Sequence, residues 1–149
     1  MTRTGLEVFD NTLQKTMEWL GDIDQELGWE DRHRAYDALR GCLHQVHDRL
    51  PVDEVAHLSA QLPMLIRGIY YEGWDPGRRP GRTADEFISA LTDYVPWLPD
   101  LDYETIARAC LNVISRHLDP GVVRHVRNSM SESVRKLWPQ EFVYGGVQG

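Results

Sequence analysis

Apolar residues recur along this chain in steps of three and four. Leu6, Phe9, Leu13, Met17, Leu20, Ile23 and Leu27 mark one face of a long helix. Thr4 stands where its N-cap belongs and Gly28 where it should stop, with Trp29 folding back onto its end. A second helix starts near Asp31 and carries Ala35, Ala38, Leu39, Cys42, Leu43, Val46 and Leu50 until Pro51 breaks it. A short third helix begins at Asp53 and Glu54, acids suited to its positive end, and carries Val55, Leu58 and Leu62. Pro63 opens a fourth, with Leu65, Ile66, Ile69 and Tyr70.

A Gly- and Pro-rich stretch from Gly73 to Arg82 then reads as a linker. Thr83, with Asp85 and Glu86 behind it, has the form of a capping box. Four more helices follow, over about Ala84–Val95, Tyr103–Leu118, Pro120–Ser129 and Glu132–Leu137. Pro139 stops the last, and Gly145 to Gly149 read as a frayed tail. No strand-like alternation occurs, so the expected fold is all α.

The second set of helices matches the first at an offset of 68 residues without a gap. Glu18 meets Glu86, Trp29 Trp97, Arg40 Arg108, Cys42-Leu43 Cys110-Leu111, His57 His125 and Arg67 Arg135. Apolar character is kept where identity is lost, as at Leu20/Ile88, Val46/Ile114, Leu62/Met130 and Tyr70/Trp138. The expectation is one helical domain over 1–149, built of two tandem four-helix repeats at about 4–73 and 83–139, joined by a linker at 74–82, with a tail at 140–149.

Composition narrows the function classes. The net charge of −7 argues against a nucleic-acid partner, which needs a dense basic face. No apolar run reaches the ~20 residues that span a bilayer. Met1 to Asp10 lacks the apolar core of a secretory signal, so a cytoplasmic location is expected. Charge is also segregated: eight acids face one base from Glu7 to Asp31, whereas six bases face two acids from Arg108 to Lys136. Pairing between neighbouring helices is the expected use of that asymmetry, and an acidic face aimed at a basic partner is the alternative.

No nucleophile motif or Gly-rich phosphate loop is present, and no catalytic residue or cofactor is predicted. His44, His47 and Asp48 share one side of a helix but fall short of a zinc set, and Asn112, Ser115 and Arg116 replace them in the second half; surface positions are expected. His57 and His125 recur and suggest bonding to a neighbouring helix's carbonyl. Arg67 and Arg135 also recur and are expected to reach acids of their own repeat. Cys42 and Cys110 read as core residues whose sulfurs come near each other if the halves pack about a pseudo-twofold axis. The linker arginines Arg78, Arg79 and Arg82 read as a solvated tether. Tyr70 should be core, whereas Tyr71 and Trp74 have no apolar counterparts, Pro139 and Phe142 standing in their places.

The run Ala60 to Trp74 (AQLPMLIRGIYYEGW), with Asp48 to Glu54 before it and Arg116-His117-Leu118 in the second half, resembles the signature of the bacterial domain of unknown function 2267. The resemblance covers about residues 11–139. It implies an all-helical duplicated domain and small bacterial cytoplasmic proteins associated with stress responses, and it carries no catalytic residue, cofactor or substrate. Asn128-Ser129-Met130-Ser131 replaces Ala60-Gln61-Leu62-Pro63 in the second half, so the signature belongs to the first repeat alone.

These features predict a non-enzymatic protein-interaction module that binds a protein partner or itself. Its contact residues are expected to be Gln61, Arg67, Tyr71 and Trp74, beside an acidic face. The alternative is a small-ligand or metal binder with a pocket between the repeats, lined by His44, His47, Cys42 and Cys110.

Overall fold

The computed structural model describes residues 3–78, 80–96 and 100–140. Arg79, Trp97, the expected match of Trp29, and the tail from residue 141 on, Phe142 included, lie outside the described residues.

Within them the chain is helical throughout: α1 (Glu7–Leu27), α2 (Arg32–Asp48), α3 (Val52–Ser59), α4 (Met64–Tyr71), α5 (Ala84–Ala90), α6 (Tyr103–Arg116), α7 (Pro120–Asn128) and α8 (Glu132–Arg135). A single 3-10 turn, Leu91–Asp93, continues α5 where an unbroken helix to Val95 was expected. Local chemistry explains the boundaries. Asp31 accepts from the Arg34 amide at the start of α2, Asp102 from Glu104 and Thr105 at α6, and Asp119 from Gly121 at α7. Thr83 and Glu86 form the reciprocal capping box at α5. Gly28 ends α1 at φ 70°, a left-handed conformation that glycine adopts without strain.

Thr4 is not the cap of α1. Leu6 is, with no side chain on the first turn; Asp10 instead reaches back and accepts from the Arg3 and Thr4 amides and the Thr4 hydroxyl. Leu62 lies beyond the end of α3 and is still buried.

One core runs through the chain. Ala35, Ala38, Leu39, Cys42 and Val46 of α2 pack with Ile106, Ala107, Cys110, Leu111 and Ile114 of α6, and α1 closes over both. The small residues let these helices approach closely. Cys42 and Cys110 are both free and buried, and burial, with the neighbouring Cys110 thiol, pushes the Cys42 thiol well above its usual range. They are inert core groups.

Charge segregation is used across the same seam. Asp22 and Glu26 of α1 meet His117 and Arg116 at 2.7 and 3.3 Å, and Asn112 donates to Glu26 at 2.9 Å. His117 also stacks on Trp19, with ring centroids 4.9 Å apart. The acids of the first half thus face bases and a donor of the second.

The expected stripe of α1 divides. Leu20 and Ile23 are buried and Leu27 half-buried, but Leu6, Phe9, Leu13 and Met17 are exposed. The cause is length. α1 has 21 residues, and the element 68 positions on has only the seven of α5 and the three of the 3-10 turn. The N-terminal turns of α1 overhang the core.

A second close approach seats the 3-10 turn. A Cβ added to Gly41 would lie 2.8 Å from Cγ of the Tyr94 ring. Gly41→Ala should therefore destabilise the protein by about 1–3 kcal/mol through overpacking, despite alanine's better helix propensity. Urea unfolding checks this; a stabilised variant would show that Tyr94 does not sit against Gly41.

Candidate functional site

Two regions hold the candidate residues. The first is a polar cleft of about 560 Å³ where the end of α2 and Glu72 face the linker, α5 and the 3-10 turn. His44 and His47 line it, but they are not the surface residues expected: they are only 6% and 2% exposed. Tyr94 and the end of α4 cover them. His44 Nε2 donates to the Ile69 carbonyl at 2.7 Å, so Nδ1 accepts from the Tyr94 hydroxyl at 2.9 Å. Burial pushes its pKa below the ordinary 6.5 and favours the neutral ring, outweighing the Ile69 carbonyl bond, which acts in the opposite direction. His47 Nε2 lies 3.4 Å from the Glu72 carbonyl.

Charged pairs ring the cleft. Arg40 binds Glu72 at 2.6 Å and lies over the Tyr94 ring, and Arg78 approaches Asp48 at 3.6 Å. Arg49 is held by the Gln45 side chain at 2.8 Å and stacks on Phe87. Three consecutive residues carry buried polar atoms without a hydrogen-bond partner: His47 Nδ1, Asp48 Oδ1 and Arg49 Nε. Nδ1 and Oδ1 are 2.9 Å apart but misaligned for a hydrogen bond. All three atoms are sealed from solvent, so a molecule in the open cleft does not reach them. Cys42 and Cys110 sit in the core and do not line the cleft. Among the described residues no three His, Cys, Asp or Glu side chains are placed to hold a metal ion.

The second region is the edge from Gln61 to Trp74. Gln61 is exposed in the turn before α4. Arg67 does not reach an acid. Its guanidinium donates to the Ser59 and Leu62 carbonyls, and Arg135 donates to the Met130 carbonyl in the same way. The turn before α4 leaves the Ser59 carbonyl with the Leu62 amide at 3.1 Å and room for a second donor, and the guanidinium fork bonds both it and the Leu62 carbonyl. Tyr71 donates to the Ser59 hydroxyl at 3.1 Å, and Trp74 packs on Tyr71, both half-buried. Tyr70 and Trp138 are buried as expected. His57 and His125 bond no carbonyl; His125 Nε2 lies 2.9 Å from the Glu54 carboxylate and His57 Nδ1 4.0 Å from the same oxygen, where α3 meets α7.

Beside this edge lies a feature the periodicity concealed. Leu6, Phe9, Leu13 and Met17 of the α1 overhang, with Met64 and Leu65 of α4, are each 38–52% exposed, whereas Val8, also exposed, falls on the other side of α1. The Leu65 amide donates to the Thr12 hydroxyl at 2.8 Å and ties the two helices into one face. A groove of about 460 Å³ opens in it, lined mainly by apolar side chains from Leu13 to Ile69. An apolar stripe signals a helix, but not which half of it finds a partner.

The model of a family described as "Uncharacterized conserved protein (DUF2267)" matches residues 16–137. No curated protein matches the chain.

Two outcomes follow from the bonding of these groups. Arg67→Met strips donors from two carbonyls and should cost about 1–2 kcal/mol, read as a lower urea midpoint. For His44, the folded pKa lies below the unfolded value of 6.5. Its contribution is full above pH 6.5 and is lost as the pH falls through the folded pKa, because the unfolded chain takes up a proton that the native state refuses. His44→Gln should flatten the pH dependence of stability below pH 6.5. An unchanged slope would show that His44 does not titrate as its burial requires.

Proposed function

Because the chain belongs to the DUF2267 family, described only as uncharacterized conserved proteins, we propose its function from its surface: it is a protein-docking module. Its contact face is the α1 overhang with the start of α4. The observation that carries this reading is the apolar face itself. Six of the eight exposed large hydrophobic residues among those described, Leu6, Phe9, Leu13, Met17, Met64 and Leu65, belong to it. A contiguous patch of this kind is the mark of an interaction site rather than of random surface. Met17 and Met64 supply adaptable contacts.

The edge expected to make contact adjoins this face. Gln61 is exposed in the turn that leads into Met64, while Arg67 and Tyr71 hold the α3–α4 turn and Trp74 packs on Tyr71. The polar cleft supports a small-ligand reading less well, since its unpartnered atoms are sealed and its charges are largely paired.

The double variant Met17→Lys/Leu65→Glu tests the docking reading. Both positions are exposed, so stability should stay within about 0.5 kcal/mol. Association of the tagged chain, with another protein or with its own untagged copy, should be lost. Association that survives the double variant, or none at all in the unaltered protein, would refute the reading.

A further inference from the structure

Arg49 carries a largely buried charge with no counter-ion. Its Nη1 donates to the Gln45 carbonyl and side chain, both neutral, and Asp48 and Glu86 act on it only at longer range, without an ion pair. Burial penalises the cation more than those acids support it, so its pKa lies below the ordinary value. Nε is sealed, but Nη2 makes no hydrogen bond and stays within reach of solvent. A half-buried guanidinium in this state is stabilised by any anion that reaches it.

The surroundings of Arg49 favour such an anion on one side. It lines a second cavity, of about 570 Å³, where the end of α2 faces the linker and the turn between α7 and α8. Arg82 lines that cavity too, exposed and without an ion pair among the described residues. Three guanidiniums, of Arg49, Arg78 and Arg82, meet two carboxylates there. Asp48 approaches Arg78 at 3.6 Å, and Asp75 accepts from the Gly77 amide at 2.9 Å, so Arg49 and Arg82 carry the uncompensated charge. The polar cleft, which Arg49 also lines, is different: Glu72, Glu86 and Asp93 add acids that repel an anion. The second cavity also has an apolar wall, in which half-buried Trp74 stands beside Pro51 and Val52. An indole there offers a surface for a flat ring. The volume is that of a site for a small organic molecule and far exceeds what an inorganic ion fills.

We propose that this cavity binds a small ring compound carrying a phosphate or carboxylate group, the anionic head on Arg49 and Arg82 and the ring against Trp74. The site shares no lining residue with the apolar groove, so it stands or falls apart from the docking reading.

Isothermal titration calorimetry at fixed ionic strength tests this with AMP, benzoate, adenosine and inorganic phosphate. AMP or benzoate should bind at one per chain, and whichever binds identifies the head group. AMP, if it is the one, should bind about tenfold or more tightly than adenosine and than inorganic phosphate. Arg82→Gln, at an exposed side chain, should weaken the bound anion by about tenfold with thermal stability maintained. Arg49→Gln should do the same, and Arg82→Gln decides alone if that variant does not fold. Arg124→Gln removes the same charge at an exposed position outside the cavity and should change binding by less than about twofold. Failure of both AMP and benzoate to bind saturably overturns the proposal. So does adenosine or inorganic phosphate that matches AMP, and so does binding that survives Arg82→Gln or is weakened equally by Arg124→Gln.

Discussion

The close contact of α2 with α6 is the constraint on which the remaining structure depends. Small residues, Ala35, Ala38 and Cys42 on one helix and Ala107 and Cys110 on the other, line that contact in the buried core. Interiors are packed to crystal-like density, so a larger pair at this point would force the helices apart. α1 lies across both helices, and its ion pairs to Arg116 and His117 span the seam. Gly41 keeps the groove beside this contact shallow enough for Tyr94, and Tyr94 in turn caps His44.

That chain of contacts explains why buried polar groups sit at the edge of an apolar core. His44 is satisfied at both nitrogens, one by a carbonyl of α4 and one by the tyrosine after the 3-10 turn. A buried neutral imidazole bonded in this way costs little and links elements far apart in sequence. His47, Asp48 and Arg49 are less completely satisfied, and they sit where α2 ends beside the linker.

The surface repeats the lesson of the core in reverse. The first helix is longer than the core it serves, and its excess length carries apolar side chains into solvent. Exposed apolar area of this kind is costly unless a partner covers it. α5, with seven residues, has no turns to match those of the overhang.

Local patterning was sufficient for the helices, most caps and the buried partners Tyr70 and Trp138, because periodicity, prolines and capping chemistry act within a few residues. It also placed both cysteines in the core. Tertiary structure alone decided the rest. The stripe from Leu6 to Leu27 reads as one face, yet only the neighbours supplied by α2 and α6 determine that Ile23 is buried and Phe9 is not. His44 and His47 look like surface residues until Tyr94, fifty positions after His44, covers the first and Tyr70 of α4 packs on the second. Arg67 looks like half of an ion pair until the turn before α4 offers it carbonyls. Burial and hydrogen-bond partnership are properties of what arrives from elsewhere in the chain, and nothing in a local pattern records that arrival.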